Sequence, residues 1–226
     1  MKKFNFFGLN KKEIILWLVS IVIVGAANII GGAEPVNLSA TLIGVTALIF
    51  LARGDVRGQI LTVIFSLLYA VTSFRFHYYG EMITYLGMTM PIAAFSVYTW
   101  KKNPYKENEV KIHKLTFKQK VVMICLTIIV TIIFYYILKA LNTNNLVIST
   151  VSIATSFLAS YLSLYRSSYY AVAYAVNDIV LIVMWILATV NQIVYLPMIA
   201  CFTMFLINDL YGFVCWKKRE MTQNIK

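Results

Sequence analysis

Apolar runs of about twenty residues alternate with short polar segments along the chain, and eight of them are long enough to cross a hydrocarbon core of about 30 Å. The pattern predicts helices over approximately Glu13 to Ile30, Val36 to Ala52, Gly58 to Phe76, Tyr79 to Trp100, Phe117 to Leu141, Leu146 to Tyr165, Tyr169 to Val190 and Tyr195 to Trp216. Breakers stand where the runs end: Gly31, Gly32 and Pro35 after the first, Gly54 after the second, Asn142, Asn144 and Asn145 after the fifth, and Pro197 at the start of the eighth. The first run is too long for a signal peptide and no small-residue cleavage site closes it, so it is expected to stay as a helix. Composition agrees. The 226 residues are 60% apolar and 13% charged, with a mean hydropathy of +0.76. Soluble domains are about 45–50% apolar and about 25% charged, so a water-soluble fold would expose apolar patches that no monomer tolerates. A soluble enzyme is excluded, and the fold class is an all-α integral membrane protein. Cys125, Cys201 and Cys215 all lie in apolar runs without CxxC spacing, which writes neither a disulfide framework nor a metal cluster.

Charge gives an independent test of the helix count, because eight spans put alternate loops on opposite sides of the membrane and Lys and Arg concentrate on the cytoplasmic side. Of the 20 Lys and Arg, all but Arg75 and Lys139 fall on one side, which also receives both termini. A wrong count would have scrambled that division. The net charge of +11 is spread over loops, so it faces anionic lipid headgroups and does not form a groove for nucleic acid.

Two stretches also resemble each other at an offset of 116: Met82 to Lys102 aligns without gaps on Met198 to Lys218, with identities at Met82/Met198, Ile83/Ile199, Met88/Met204, Trp100/Trp216 and the two lysine pairs that follow. Helices 2 to 4 and 6 to 8 are then two parallel three-helix units, with helix 5 as the connector that restores direction. The expected organisation is a tail and extra helix over 1–35, a first repeat over 36–102, a basic connector and linker helix over 103–145, a second repeat over 146–218 and a tail over 219–226. Parallel repeats about an axis along the membrane normal are a transporter architecture with the ligand site near the midplane.

Seven of the nine acids (Glu13, Glu34, Asp55, Glu81, Glu107, Glu109 and Glu220) are read as loop or helix-end residues. Asp178 and Asp209 lie deep in helices 7 and 8, each directly after an asparagine, Asn177 and Asn208. An Asp at a helix centre costs about 2.5–3.5 kcal/mol on insertion scales, so neither is expected to face lipid. They either bridge helices or touch a ligand. Helical steps put Tyr170, Tyr174 and Trp185 on the stripe of Asn177 and Asp178, and Tyr211, Gly212 and Trp216 near Asn208. Helix 6 adds Ser149, Ser152, Ser156, Ser160 and Ser163, which close helix packing would equally want. A cavity of acids, amides, Tyr and Trp suits a flat ring with hydroxyls and a positive charge. No phosphate-binding loop, catalytic triad or metal-ligand cluster is present, His77 and His113 being far apart, so no cofactor and no enzyme activity are expected.

The segment Ile207 to Trp216, I-N-D-L-Y-G-F-V-C-W, resembles the closing N-x-x-Y-G-x-x-x-W pattern of the PnuC nicotinamide riboside transporters. YGEM (Tyr79 to Met82) and YRSSYYAVAYAVND (Tyr165 to Asp178) are similar to the corresponding PnuC segments. The resemblance covers roughly Val36 to Lys218. It implies a 3+1+3 core related to the SWEET sugar carriers plus one N-terminal helix, in a bacterial inner membrane with both termini cytoplasmic. It also implies facilitated diffusion of a vitamin precursor, trapped by cytoplasmic phosphorylation. Three positions depart from the nicotinamide riboside pattern: Tyr85 stands for a Gln, Phe65 or Ser66 for an Asn, and Tyr170 and Ala173 for two Trp. Nicotinamide riboside is the expected substrate, with thiamine or riboflavin as the alternatives in the family and a membrane sensor or interaction subunit as the alternative outside it. Proton coupling and a homo-oligomer stay open. The expected substrate-binding set is Tyr85, Ser152, Tyr174, Asn177, Asp178, Trp185, Asn208, Asp209 and Tyr211.

Overall fold

The computed structural model describes residues 8–106, 109–190 and 193–224. Its helices are α1 (Lys11–Ile30), α2 (Pro35–Ala52), α3 (Val56–Arg75), α4 (Tyr79–Lys102), α5 (Phe117–Ala140), α6 (Leu146–Leu164), α7 (Tyr170–Thr189) and α8 (Leu196–Asn224), the last entered through a 3₁₀ turn at Ile193–Tyr195. All eight spans are long and apolar enough to cross a membrane. The tail expected from 219 instead continues α8 to Asn224. Glu107, Lys2, Lys3 and Lys226 lie outside the described residues.

Local chemistry fixes the helix starts. Asn10 accepts from the Glu13 amide at 3.0 Å while Glu13 accepts from the Asn10 amide at 2.7 Å, a capping box that opens α1. Thr116 and Gln119 do the same for α5, Asp55 caps α3, and Pro35 at the first position of α2 has no N–H to leave unpaired. Helix α4 is not uniform: Tyr85–Thr89 forms a wide π turn between two α-helical stretches. Pro91 follows it and offers no N–H to the carbonyl of Gly87 inside that turn, so the ladder loosens there.

Packing arranges six helices in a ring. Within each half the neighbours are consecutive, α2 on α3 on α4 and α6 on α7 on α8, and the ring closes through α2 on α8 and α4 on α6. Helix α1 lies outside against α2 and α8. Helix α5 packs on α6 and otherwise faces outward; only 6% of its most apolar window is buried, against 61% for α2, so it is a peripheral strap. The connector between α4 and α5 carries two short antiparallel strands, β1 (Pro104–Lys106) and β2 (Glu109–Val110), which the hydropathy pattern did not predict. It ties the basic end together: the Val110 amide donates to Gly54, the His113 amide to Arg166 and the Ile112 amide to the Gln223 side chain.

Corresponding turns follow α2 and α6. After α2, the Gly54 and Asp55 amides donate back to Leu51 and Phe50; after α6, those of Arg166 and Ser167 donate to Ser163 and Leu162. Gly54 (φ +70°) and Arg166 (φ +57°) share the left-handed conformation that this reversal needs. Residues 116 apart, the spacing of the sequence repeat, also meet each other. At the basic end the Trp100 and Trp216 rings stand 5.5 Å apart, and at the other end the Trp185 indole donates to the Tyr69 hydroxyl at 3.1 Å.

Candidate functional site

Between these two aromatic pairs lies a narrow cavity of about 50 Å³ enclosed by α2, α3, α4, α6, α7 and α8. Its floor is made at the helix ends. Trp216 donates from Nε1 to the Leu51 carbonyl at 2.9 Å and Trp100 to the Ser163 carbonyl at 3.0 Å, and both Leu51 and Ser163 line the cavity. The roof is aromatic: Phe65 and Tyr85 line the cavity and pack on Tyr69 with ring centroids 5.4 and 4.4 Å away. Phe205 closes one side against Phe65 at 5.3 Å. Gly44 opposite has no room for a side chain, because a Cβ there would collide with the Phe205 ring and press on Phe65.

Polar groups line the wall between floor and roof. The Asp178 and Asp209 carboxyls, from α7 and α8, hydrogen-bond each other. Two carboxyl groups can do so only with a proton between them, so the pair carries at most one negative charge. Asn177 accepts at Oδ1 from Thr155 and Ser156, at 2.8 and 2.9 Å, which turns its NH₂ into the donor available to the cavity. The Tyr174 hydroxyl pairs with Ser160 at 3.0 Å, and Gln59 donates to Ser163 at 2.8 Å. Each of these serines belongs to the stripe read on helix 6. Ser156, Ser160 and Ser163 therefore orient the polar groups of α3 and α7, Ser156 and Ser163 from within the cavity lining itself.

Five of the nine expected binding residues line this cavity: Tyr85, Tyr174, Asn177, Asp178 and Asp209. The other four point elsewhere. Asn208 donates to Ser20 of α1 at 3.0 Å and to the Met204 carbonyl at 2.7 Å, so it fastens α8 to the extra helix. Tyr211, half-buried, turns toward Asn10 and Glu13 at the start of α1. Trp185 belongs to the roof, where it meets Tyr78 and Tyr195 as well as Tyr69. Ser152 donates to Glu81 at 3.1 Å. Glu81, read as a helix-end acid, does stand in the first turn of α4, but it is 1% exposed with Oε2 unpaired. Lining residues not singled out from the sequence include Gln59, Thr62, Thr89 and Phe205. A Gln three residues inside an apolar span was the one signal that could have pointed to Gln59. Among the described residues no group of three or more His, Cys, Asp or Glu is placed to hold a metal ion.

Comparison with known proteins agrees with this fold. A nicotinamide riboside transporter PnuC from Neisseria mucosa is 25% identical over 185 residues, which span 79% of this chain and 70% of that protein. The crystal structure of the vitamin B3 transporter PnuC superposes with a TM-score of 0.82 at 24% identity, covering 94% of this chain and 93% of the other, and so shares its fold. The profile of the nicotinamide mononucleotide transporters matches residues 34–218, everything from the end of α1 to the floor tryptophan and its two lysines, and on that match the chain belongs to this family of membrane transporters.

Proposed function

We propose that the chain carries nicotinamide riboside across a bacterial inner membrane by facilitated diffusion, with cytoplasmic phosphorylation trapping the product. The observation that carries this reading is the Asp178–Asp209 pair, two neighbouring acids facing an amide- and tyrosine-lined cavity midway through the bundle, which hold one negative charge there when they share a single proton. The pyridinium ring of nicotinamide riboside bears one positive charge, and its ribose offers hydroxyls to Asn177, Tyr174 and Gln59. The Neisseria mucosa relative, described as a nicotinamide riboside transporter, supports the same substrate. Absence of a nucleotide-binding loop fits passive movement.

A cavity of about 50 Å³ holds a few waters, whereas ligand pockets run to about 300–1,000 Å³. Admitting a nucleoside therefore means separating either the roof or the floor. The two three-helix units, related by an axis through the Tyr69–Trp185 and Trp100–Trp216 contacts, supply a way to do so by rocking one against the other. In this reading the basic end, with Arg53, Lys101, Lys102 and Lys217, is cytoplasmic.

Uptake by the purified chain in sealed vesicles tests the proposal. Nicotinamide riboside should equilibrate faster than in empty vesicles, with thiamine and riboflavin slower and an uncoupler without effect. Faster movement of riboflavin than of nicotinamide riboside, or collapse with the uncoupler, would overturn it. Orientation has its own test: reporter fusions after Gly32 and Asn145 should read outside, and fusions after Gly54 and Pro104 inside. Any reversal removes the assigned topology.

A further inference from the structure

A second cavity, of about 710 Å³, lies at the basic end outside the ring, where α5 enters the bundle beside the α6–α7 loop and the end of α8. Two kinds of wall are stacked in it. The upper wall is polar and cationic, with Lys114 of the connector, Lys120 of α5 and the hydroxyls of Ser167 and Ser168. The lower wall is apolar: Met123 and Ile124 of α5 and Leu162 of α6 continue it down the outward-facing groove between those helices. One acid reaches the cavity, Glu220, and it is already engaged by Lys217 at 2.9 Å and by the Ser168 hydroxyl at 2.7 Å. Lys114 approaches it only at 3.9 Å and is 67% exposed. The net charge is positive, at the lysine-rich end of the helices, next to an apolar track on the outward side of α5 and α6.

We infer that this cavity binds an anionic glycerophospholipid, its phosphate between Lys114 and Lys120 and one acyl chain along Met123, Ile124 and Leu162. A soluble anion would use only the upper wall and a neutral lipid only the lower. Only an amphiphile with a negative head matches both. Cytoplasmic-side basic pockets between membrane helices suit such headgroups on general grounds, each Lys near the surface contributing about 1 kcal/mol. The lipid would brace the peripheral strap α5 to the second three-helix unit at the point where the connector, α6–α7 loop and α8 converge.

The test uses the full chain in a neutral detergent, titrated with phosphatidylglycerol, with phosphatidylcholine of the same chains, and with glycerol phosphate, followed by native mass spectrometry and thermal unfolding. Phosphatidylglycerol should bind and raise the unfolding midpoint, and the double variant Lys114→Ala with Lys120→Ala should bind it about thirtyfold more weakly, about fivefold for each lysine. Both lysines are at the surface, so the variant keeps its fold, which its unfolding midpoint without lipid verifies. Equal binding of phosphatidylcholine would remove the anionic headgroup from the proposal. Glycerol phosphate binding as tightly as the lipid would replace the lipid site with a simple phosphate site, and undiminished lipid binding by the double variant would place the lipid elsewhere.

Discussion

Replacing Asp178 and Asp209 together by Asn is expected to weaken nicotinamide riboside binding about a hundredfold, whereas either replacement alone weakens it less than tenfold. The asymmetry follows from the shared proton. In the pair one carboxyl donates and the other accepts, so a single Asn can take the donor's place through its NH₂ and leave the remaining carboxylate charged. Net charge at the site is then unchanged. The double variant has none. One unit charge acting on a ring cation at about 6 Å with an effective dielectric near 20 is worth about 3 kcal/mol, which is about a hundredfold in affinity. The reduced, uncharged form of the same nucleoside should bind all four proteins equally. Calorimetry on detergent-purified protein decides the matter. A double variant that binds nicotinamide riboside within threefold of the parent would return the two acids to a purely interhelical role, worth about 0.6 kcal/mol per contact.

The eight spans were legible because the hydrocarbon core imposes a length, and charge segregation supplied an independent test of their number. Which face of each helix points inward was much less so. Asn208 and Asp209 are neighbours, about 100° apart on one helix, and hydropathy treats them alike. Asn208 turns to Ser20 of α1 while Asp209 turns to the cavity, because α8 is packed on both sides, by the ring and by the extra helix. The outward face of α8, with Ile207, Leu210 and Val214 exposed, is as apolar as its inner ones, so hydropathy does not announce its orientation. On α7, by contrast, Asn177 and Asp178 both line the cavity. The burial of Glu81 was hidden for a different reason. It stands three residues into α4, where distance from the helix end argues for solvent, yet Leu138 and Thr143 close over Gly80 beside it and α6 covers its carboxyl. That cover comes from residues some sixty positions away, which no local pattern can carry. The similarity that suggests a repeat was legible only over α4 and α8. Its further signs are backbone hydrogen bonds after α2 and α6, and these are made by Gly54 and Arg166, residues with nothing in common except a left-handed φ.

That same repeat predicts that Trp100→Ala and Trp216→Ala will behave as one substitution made twice. Both indoles are buried, 1% and 0% exposed, both donate to a carbonyl at the end of the neighbouring helix of the other half, and they pack on each other. Truncating a buried Trp to Ala costs about 3–5 kcal/mol, which in a chain of this size lowers the unfolding midpoint by about 10 °C. The two variants should match closely in this. Phe at either position keeps most of the packing and loses only the indole N–H, about 1 kcal/mol, because Leu51 and Ser163 retain their bonds from the Gly54 and Arg166 amides. The floor also separates the cavity from the basic end. With Cys125, Cys201 and Cys215 replaced by Ala and a single cysteine placed at Ser163, a membrane-impermeant thiol reagent should label either Trp→Ala variant about tenfold faster from the basic side. Labelling from the opposite side should not change. If one tryptophan can be truncated without loss of stability while the other cannot, the floor is not a two-fold feature. Faster labelling from the opposite side would mean that the indoles hold the roof closed, through the rocking of whole units, instead of blocking the cavity where they stand.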